Sequence, residues 1–331
     1  MKNMSLNVLI ACKETEKEFF ERKYGLGVDN LQKACSEENK DINNVLRTHD
    51  EHHYNLENFV NAFKEYGITP EIKCRVKTEI HPAYSVEDFK AVDVAVSFGG
   101  DGEALDVAMN ITKKNLGETE FPKVWIERSD SDSTGALSVT RKYSYKEKVE
   151  KLVRLDYKVK NWTRVRGVIK SNGKTDVEDI ALNEIYFGDI YRMGTARHYT
   201  QNEDQRSSGG LVSSKVGLLG WVLNERPASL LQHAIDDIRA FWYWKIKRPD
   251  FESHTLEYRI TAPYRKFKFK HVNGKLPAGQ KLTIKSTMNY DGCVSFDAAK
   301  PHYTNSRCYD FNRGKILEVS VSDEPLPVIR F

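Results

Sequence analysis

Residues 91–110, AVDVAVSFGGDGEALDVAMN, run from an apolar strand through a glycine-rich turn directly into a helical segment. Gly99, Gly100 and Gly102 lack Cβ atoms, so the turn can take φ > 0 and a phosphate can approach the main chain. A helix expected from about Glu103 adds its positive N-terminal end at the same point. The three glycines are therefore candidate phosphate-binding residues. Asp101, the one acid among them, is the candidate catalytic residue, able to accept a proton from a hydroxyl or hold a metal beside phosphates. A tight turn with Asp101 as helix N-cap would use the same residues for structure alone, but a simple turn seldom sets three glycines around one acid.

Working outward, the first third alternates two periodicities. Strands are expected at 7–11, 71–76, 92–97 and 123–126, and helices at 15–24, 56–66 and 103–113. Such alternation predicts an α/β, doubly wound, mostly parallel sheet, in which ligands sit beyond the carboxyl ends of strands, where the glycine turn falls. A short helix at 145–153 ends this pattern. Residues 163–188, TRVRGVIKSNGKTDVEDIALNEIYFG, then read as strands, with Asn172 and Gly173 as a hairpin signal. Further strands are expected at 257–261, 266–271, 281–286 and 315–321. One helix, at 227–247, interrupts them, its cluster of Phe241, Trp242, Tyr243 and Trp244 suiting a core or a subunit interface.

The chain has 331 residues, 40% hydrophobic and 30% charged, enough for two domains with real cores. A net charge of +4 suits an anionic small molecule and falls short of a nucleic-acid footprint, so no nucleic-acid partner is expected. Five cysteines without CxxC spacing read as reduced thiols of a cytoplasmic protein. The apolar run 6–11 is a first strand, too short for a signal-peptide core, and no run is long enough to cross a membrane.

Three further segments follow the glycine turn in a distinctive order: residues 181–185 (ALNEI), Ser207-Ser208-Gly209 leading to Gly217 and Trp221, and Tyr290-Asp291-Gly292. With these segments the chain resembles the NAD kinase family, in particular its mitochondrial-type branch. KETEKEFFERKYG (13–25), the spacing of His49, His52 and Asn55, and KILEVSVSDEPLPVI (315–329) resemble that branch too. The turn alone is shared with lipid kinases and phosphofructokinases; its combination with the Asn-Glu pair is much narrower. The resemblance implies an α/β nucleotide domain (1–140), an all-β dinucleotide domain (141–298) and a segment returning to the first (299–331), with the active site between the domains. It implies ATP-dependent phosphorylation of the ribose 2′-hydroxyl of NAD to NADP, with Mg²⁺ accompanying ATP, in a homo-oligomer. Asp101 would then activate the hydroxyl, and Asn183 and Glu184 would hold the dinucleotide, Glu184 also lying near the metal. The residue types suit this chemistry, since a secondary hydroxyl needs a positioned base and phosphoryl transfer needs alignment and charge neutralisation.

The chain departs from the family pattern in three places. Glu103 stands where Thr is usual, so it either ligates the metal or repels a phosphate. A hydroxyl-rich nucleotide loop is replaced by Ser214-Lys215-Val216-Gly217-Leu218, in which Ser214 and Gly217 keep their character and Lys215 offers a point charge to a phosphate. Each hydroxyl lost at Val216 and Leu218 forgoes about 1–3 kcal/mol if its partner stays unpaired. Residues 127–130 (ERSD) replace an Asn-Thr-Asp type of segment and make Arg128 a candidate phosphate contact; Ser133, Gly135 and Leu137 still match. These departures keep two alternatives open: a catalytically impaired dinucleotide-binding protein, and a related kinase with another hydroxyl acceptor.

His49, His52 and His53 have no nearby Cys or further His to complete a tetrahedral metal set, and solvated or hydrogen-bonding roles are expected. The alternation of basic and aromatic residues at 265–270 is that of a half-exposed strand.

Overall fold

The computed structural model describes residues 6–75, 84–117, 121–133, 137, 143–191, 194–217, 250–261, 263, 270–297 and 307–331. The expected helix at 227–247 with its aromatic cluster, Trp221, Leu218, Gly135 and most of the basic-aromatic run lie outside them. The chain forms two compact units, Met1–Lys160 with Pro327–Phe331, and Asn161–Leu326. The family-implied break at 140 precedes the helix at 145–153, whereas the observed division follows it, because Val149 and Leu152 pack into the first unit's core.

The first unit is built on β1 (Val8–Lys13), β2 (Glu71–Arg75), β3 (Val94–Phe98) and β4 (Lys123–Glu127). Helices α1 (Glu16–Tyr24), α2 (Val28–Glu37), α3 (Ile42–Lys64), α4 (Asp101–Asn110), α5 (Lys113–Leu116) and α6 (Tyr145–Val153) connect or follow these strands. β5 (Lys158–Trp162) leads out of the unit, and β18 (Leu326–Arg330) returns to it. Sheet order is β2-β1-β3-β4-β18-β5, and β1 pairs in parallel with β2 and β3, β3 with β4, and β4 with β18. β1, apart from its terminal Lys13, and β3 are buried along their length, Ser97 included, because both faces of a parallel sheet are covered. Phe59 of α3 anchors one side, stacked on Phe98 at 5.5 Å and edge-on to Trp125 at 4.8 Å.

Local chemistry sets the helix starts. Thr15 and Glu18 form a capping box on α1, as Ser144 and Glu147 do on α6. Asp41 caps α3, which starts fourteen residues before the expected 56 and, with the unanticipated α2, builds a satellite core around Leu31, Cys35 and Val45. The cysteines also depart from expectation. Cys12 and Cys74 are register partners on β1 and β2 and form a disulfide across 62 residues, while Cys35, Cys293 and Cys308 are free thiols.

The second unit has two antiparallel sheets. One has the order β10-β9-β14-β17-β6-β7, using β6 (Val165–Ser171), β7 (Lys174–Ala181), β9 (Ala196–Thr200), β10 (Glu203–Ser207), β14 (Leu282–Ser286) and β17 (Lys315–Val321). The other runs β13-β12-β11-β8-β15-β16, using β8 (Glu184–Asp189), β11 (Gly210–Ser213), β12 (Thr255–Ile260), β13 (Asn273–Pro277), β15 (Gly292–Phe296) and β16 (Cys308–Asp310). Ile169, Ile284 and Leu317 of the first sheet share a core with Ile185, Phe187 and Phe296 of the second. Asn172 and Gly173 close the β6–β7 hairpin with φ of 49° and 79°, as a two-residue turn of primed type requires.

Among the described residues, no helix is long and apolar enough to cross a membrane.

Candidate functional site

The chain leaves β1 toward β2 on one side and comes back with β3 on the other, so β1 and β3 flank the switch point of the sheet. The Gly99–Gly102 turn leaves β3 at its carboxyl end, where open α/β sheets bind ligands. The turn is tighter than the sequence suggests. α4 begins at Asp101, with Gly100 as its N-cap, so Asp101 and Gly102 lie in the first helical turn. None of the three glycines adopts a positive φ, and the reason for glycine is space. A Cβ on Gly99 would lie 2.9 Å from the Cβ of Glu103, whereas on Gly100 and Gly102 the nearest atoms would be 3.9 Å away. Gly99 lets the helix pack on its own turn; Gly100 and Gly102 leave their backbone open. The Asp101 carboxylate accepts a hydrogen bond from the Leu137 backbone N–H at 3.0 Å.

Beside the turn stands a residue that the sequence reading passed over. Lys13, the last of β1, reaches the buried Asp130 at 2.6 Å and the Ser133 hydroxyl at 3.3 Å. Burial alone would raise the pKa of Asp130, but bonds from Lys13, Ser129 and Ser133 outweigh it and hold the carboxyl below its ordinary value. A charged residue closing a strand at the switch point was the available signal for Lys13. The Lys13–Asp130 pair borders a cleft of about 320 Å³, also lined by Glu14, Thr15, Asn44 and Thr48. Its acids are engaged: Glu14 by a two-pronged pair with Arg22, Glu16 by Lys40, and Asp132 by Arg47.

Glu127 and Asp130 of the ERSD segment are both engaged inside the first unit. Glu127, 1% exposed, forms a buried ion pair with Lys148 of α6 at 2.6 Å and accepts from the Trp125 indole N–H at 3.0 Å. Arg128 is half-buried just after β4. Glu103 is 2% exposed and accepts a hydrogen bond from the Tyr84 hydroxyl. Burial pushes its pKa up to about 7, with Asp106 adding to the rise. His52 was expected to be solvated or hydrogen-bonded; it is 1% exposed, packs against Phe98, and is held at a pKa of about 4, mainly by burial.

In the second unit the fold gathers Asn183, Glu184, Ser214 and Gly217 around one turn. Asn183 lies between β7 and β8, and buried Asp297 fixes that turn by accepting from the Leu182 N–H at 3.0 Å and the Asn183 N–H at 2.7 Å. Arg307 holds Asp297 at 3.1 Å and Asp179 at 2.9 Å. Ser214 donates through its hydroxyl to the Leu182 carbonyl at 2.6 Å and through its N–H to the Asn183 carbonyl at 2.9 Å. Gly217 packs so closely that a Cβ would come within 2.3 Å of that same carbonyl. The Asn183 side-chain oxygen is buried without a hydrogen-bond partner among the described residues, an arrangement that suits a ligand O–H or N–H donor. Glu184 is 2% exposed rather than solvated. Lys215 pairs with Glu257 at this turn, and Val216 is 1% exposed.

No protein-family model and no curated relative matches the amino-acid sequence. Solved structures do match. An NAD kinase from Archaeoglobus fulgidus in complex with ATP is 16% identical, with a TM-score of 0.55 over 98% of this chain and 93% of that one. Yeast NADH kinase complexed with NADH is 14% identical, with a TM-score of 0.55 over 99% and 83%. The chain therefore shares the fold of these NAD and NADH kinases along nearly its whole length.

Proposed function

We propose that the protein transfers the terminal phosphoryl group of ATP, delivered with Mg²⁺, to the ribose 2′-hydroxyl of NAD or NADH. The observation that carries this reading is the turn entering α4. Gly100 and Gly102 leave backbone open to a phosphate, Asp101 stands between them, and all three lie at a switch point of a parallel sheet. Asp101 takes the proton of the attacking hydroxyl, its carboxylate oriented by the Leu137 N–H. Gly99 lets the turn close, and the N–H groups at the start of α4 neutralise phosphate charge. In the second unit Asn183, Glu184, Ser214, Lys215 and Gly217 hold the dinucleotide. The unpartnered Asn183 oxygen supports that role. Arg128 supplies a further phosphate contact.

A second reading, a dinucleotide-binding protein without kinase activity, is favoured by one observation. Where hydroxyls would serve a nucleotide, Val216 is buried and Lys215 is tied to Glu257.

The test is NADP(H) formation by purified protein from NAD or NADH with ATP and Mg²⁺, alongside Asp101→Asn. The parent should turn over and the variant should lose about 100-fold or more, the range for removal of a general base. No product, with NAD binding still visible by calorimetry, would select the second reading. Neither product nor binding would point to another hydroxyl acceptor.

A further inference from the structure

His49 and His53 lie one turn apart on α3, their ring centroids 4.4 Å apart, and Glu18 of α1 faces them. One donor atom from each of the three comes within 4.8 Å of the other two. The His53 Nε2 is already 3.0 Å from Glu18 Oε1. We propose that Glu18, His49 and His53 form a binding site for a borderline divalent transition metal of the Zn²⁺ type, clamping α1 onto α3.

Two imidazoles and one carboxylate, with water in a fourth position, are a donor set that Zn²⁺ accepts in tetrahedral geometry. The site is built around an oriented carboxylate. Glu18 Oε2 is occupied by the Thr15 backbone N–H at 2.7 Å and the Thr15 hydroxyl at 2.9 Å, so Oε1 is the oxygen directed at His53. Thr15 also reaches His49 Nδ1 at 2.8 Å, which fixes that ring and leaves its Nε2 to a metal. Lys17, 3.4 Å from that nitrogen, is the group displaced, and Glu21 at 3.6 Å is there to receive it. His53 and Glu18 are 46% and 36% exposed, so an ion reaches the site from solvent. Ligand atoms around a Zn²⁺ lie about 3.3–3.5 Å apart, from bonds of about 2.0–2.2 Å, so occupation opens the 3.0 Å His53–Glu18 pair slightly and draws in the more widely spaced donors, which lie within 4.8 Å. Thr15 lines the cleft beside Lys13, so the ion would stiffen one wall of that cleft.

The probe is Zn²⁺, titrated calorimetrically into tag-free full-length protein at neutral pH, with Co²⁺ as a spectroscopic reporter. The expected result is one saturable equivalent and a rise in melting temperature. Co²⁺ should give visible tetrahedral bands without a thiolate charge-transfer band. His53→Ala, at an exposed position that leaves the fold intact, and Glu18→Gln should each weaken binding roughly tenfold or more. His254→Ala, at an exposed histidine of the second unit just before β12, should not. No saturable binding, unchanged affinity in His53→Ala, or a thiolate band would overturn the proposal.

Discussion

The Tyr84 hydroxyl donates to Oε1 of Glu103 in the first turn of α4, and Glu103 Oε2 is buried without a partner among the described residues. Burial, against the opposing pull of the Tyr84 hydrogen bond, makes the carboxyl beneath the glycine turn favour its neutral form, titrating near 7 instead of the ordinary 4.5. The sign follows from linkage. Below 4.5 both folded and unfolded chains hold the proton, and Glu103 has no effect. As pH rises from 4.5 to 7 the unfolded chain ionises first, and folding loses on the order of 3 kcal/mol, fully lost above 7. Glu103→Gln should therefore stabilise the protein at pH 8 much more than at pH 4.5. Urea unfolding at the two pH values measures this, and a gain independent of pH would refute it.

The two kinds of glycine in the turn predict opposite outcomes. Gly102→Ala adds a methyl into open space inside a helix, so stability should rise by about 0.5–1 kcal/mol. Phosphorylation should nevertheless fall at least about tenfold, because the methyl occupies space meant for phosphate. Gly99→Ala drives a Cβ against that of Glu103 and should cost about 1–3 kcal/mol of stability. Unchanged turnover in Gly102→Ala, measured with melting temperature, would remove that glycine from the phosphate site.

His52 and His198 are both buried and held at a pKa of about 4, below the ordinary 6.5. His198 is fixed by Thr200 and Ser207, each at 3.0 Å. Below 6.5 the unfolded chain takes up protons that the folded one refuses until about 4. Each histidine thus removes on the order of 3 kcal/mol between those values, and none above 6.5. His198→Gln should flatten the loss of stability between pH 6.5 and 4.5. Parallel curves for parent and variant in chemical denaturation would contradict this.

Lys148→Met should cost about 3–5 kcal/mol, because Glu127 is left charged at 1% exposure. Adding Glu127→Gln, which can still accept from the Trp125 indole, should restore most of the loss. A double-mutant cycle by thermal unfolding decides it, and additive losses would mean that the pair is not coupled.

The sequence disclosed the parts of this fold that rest on short-range rules. β3, the glycine turn, α6 and the Asn172-Gly173 hairpin were legible because apolar runs, caps and turn residues stand next to one another. α2 and the first half of α3 were not, since the apolar residues buried there are only Leu31, Ala34, Cys35 and Val45, set among long polar stretches. Contacts between distant segments were also invisible: Lys13 with Asp130, Cys12 with Cys74, Glu18 with the α3 histidines, and Asp297 beneath Asn183. The sequence also could not show that Lys148 stands beside Glu127 and Tyr84 beside Glu103.

β18 lies beside β4 although the whole second unit separates them in sequence, and Phe331 packs its ring on Trp125 at 4.8 Å. On the ribosome, the first unit must wait with that edge of β4 unpaired while the second is translated. The second unit is one continuous stretch and closes without waiting. The half of the molecule made first is therefore the half completed last, and a chaperone that shields one bare strand edge would serve it better than one that encloses a whole domain.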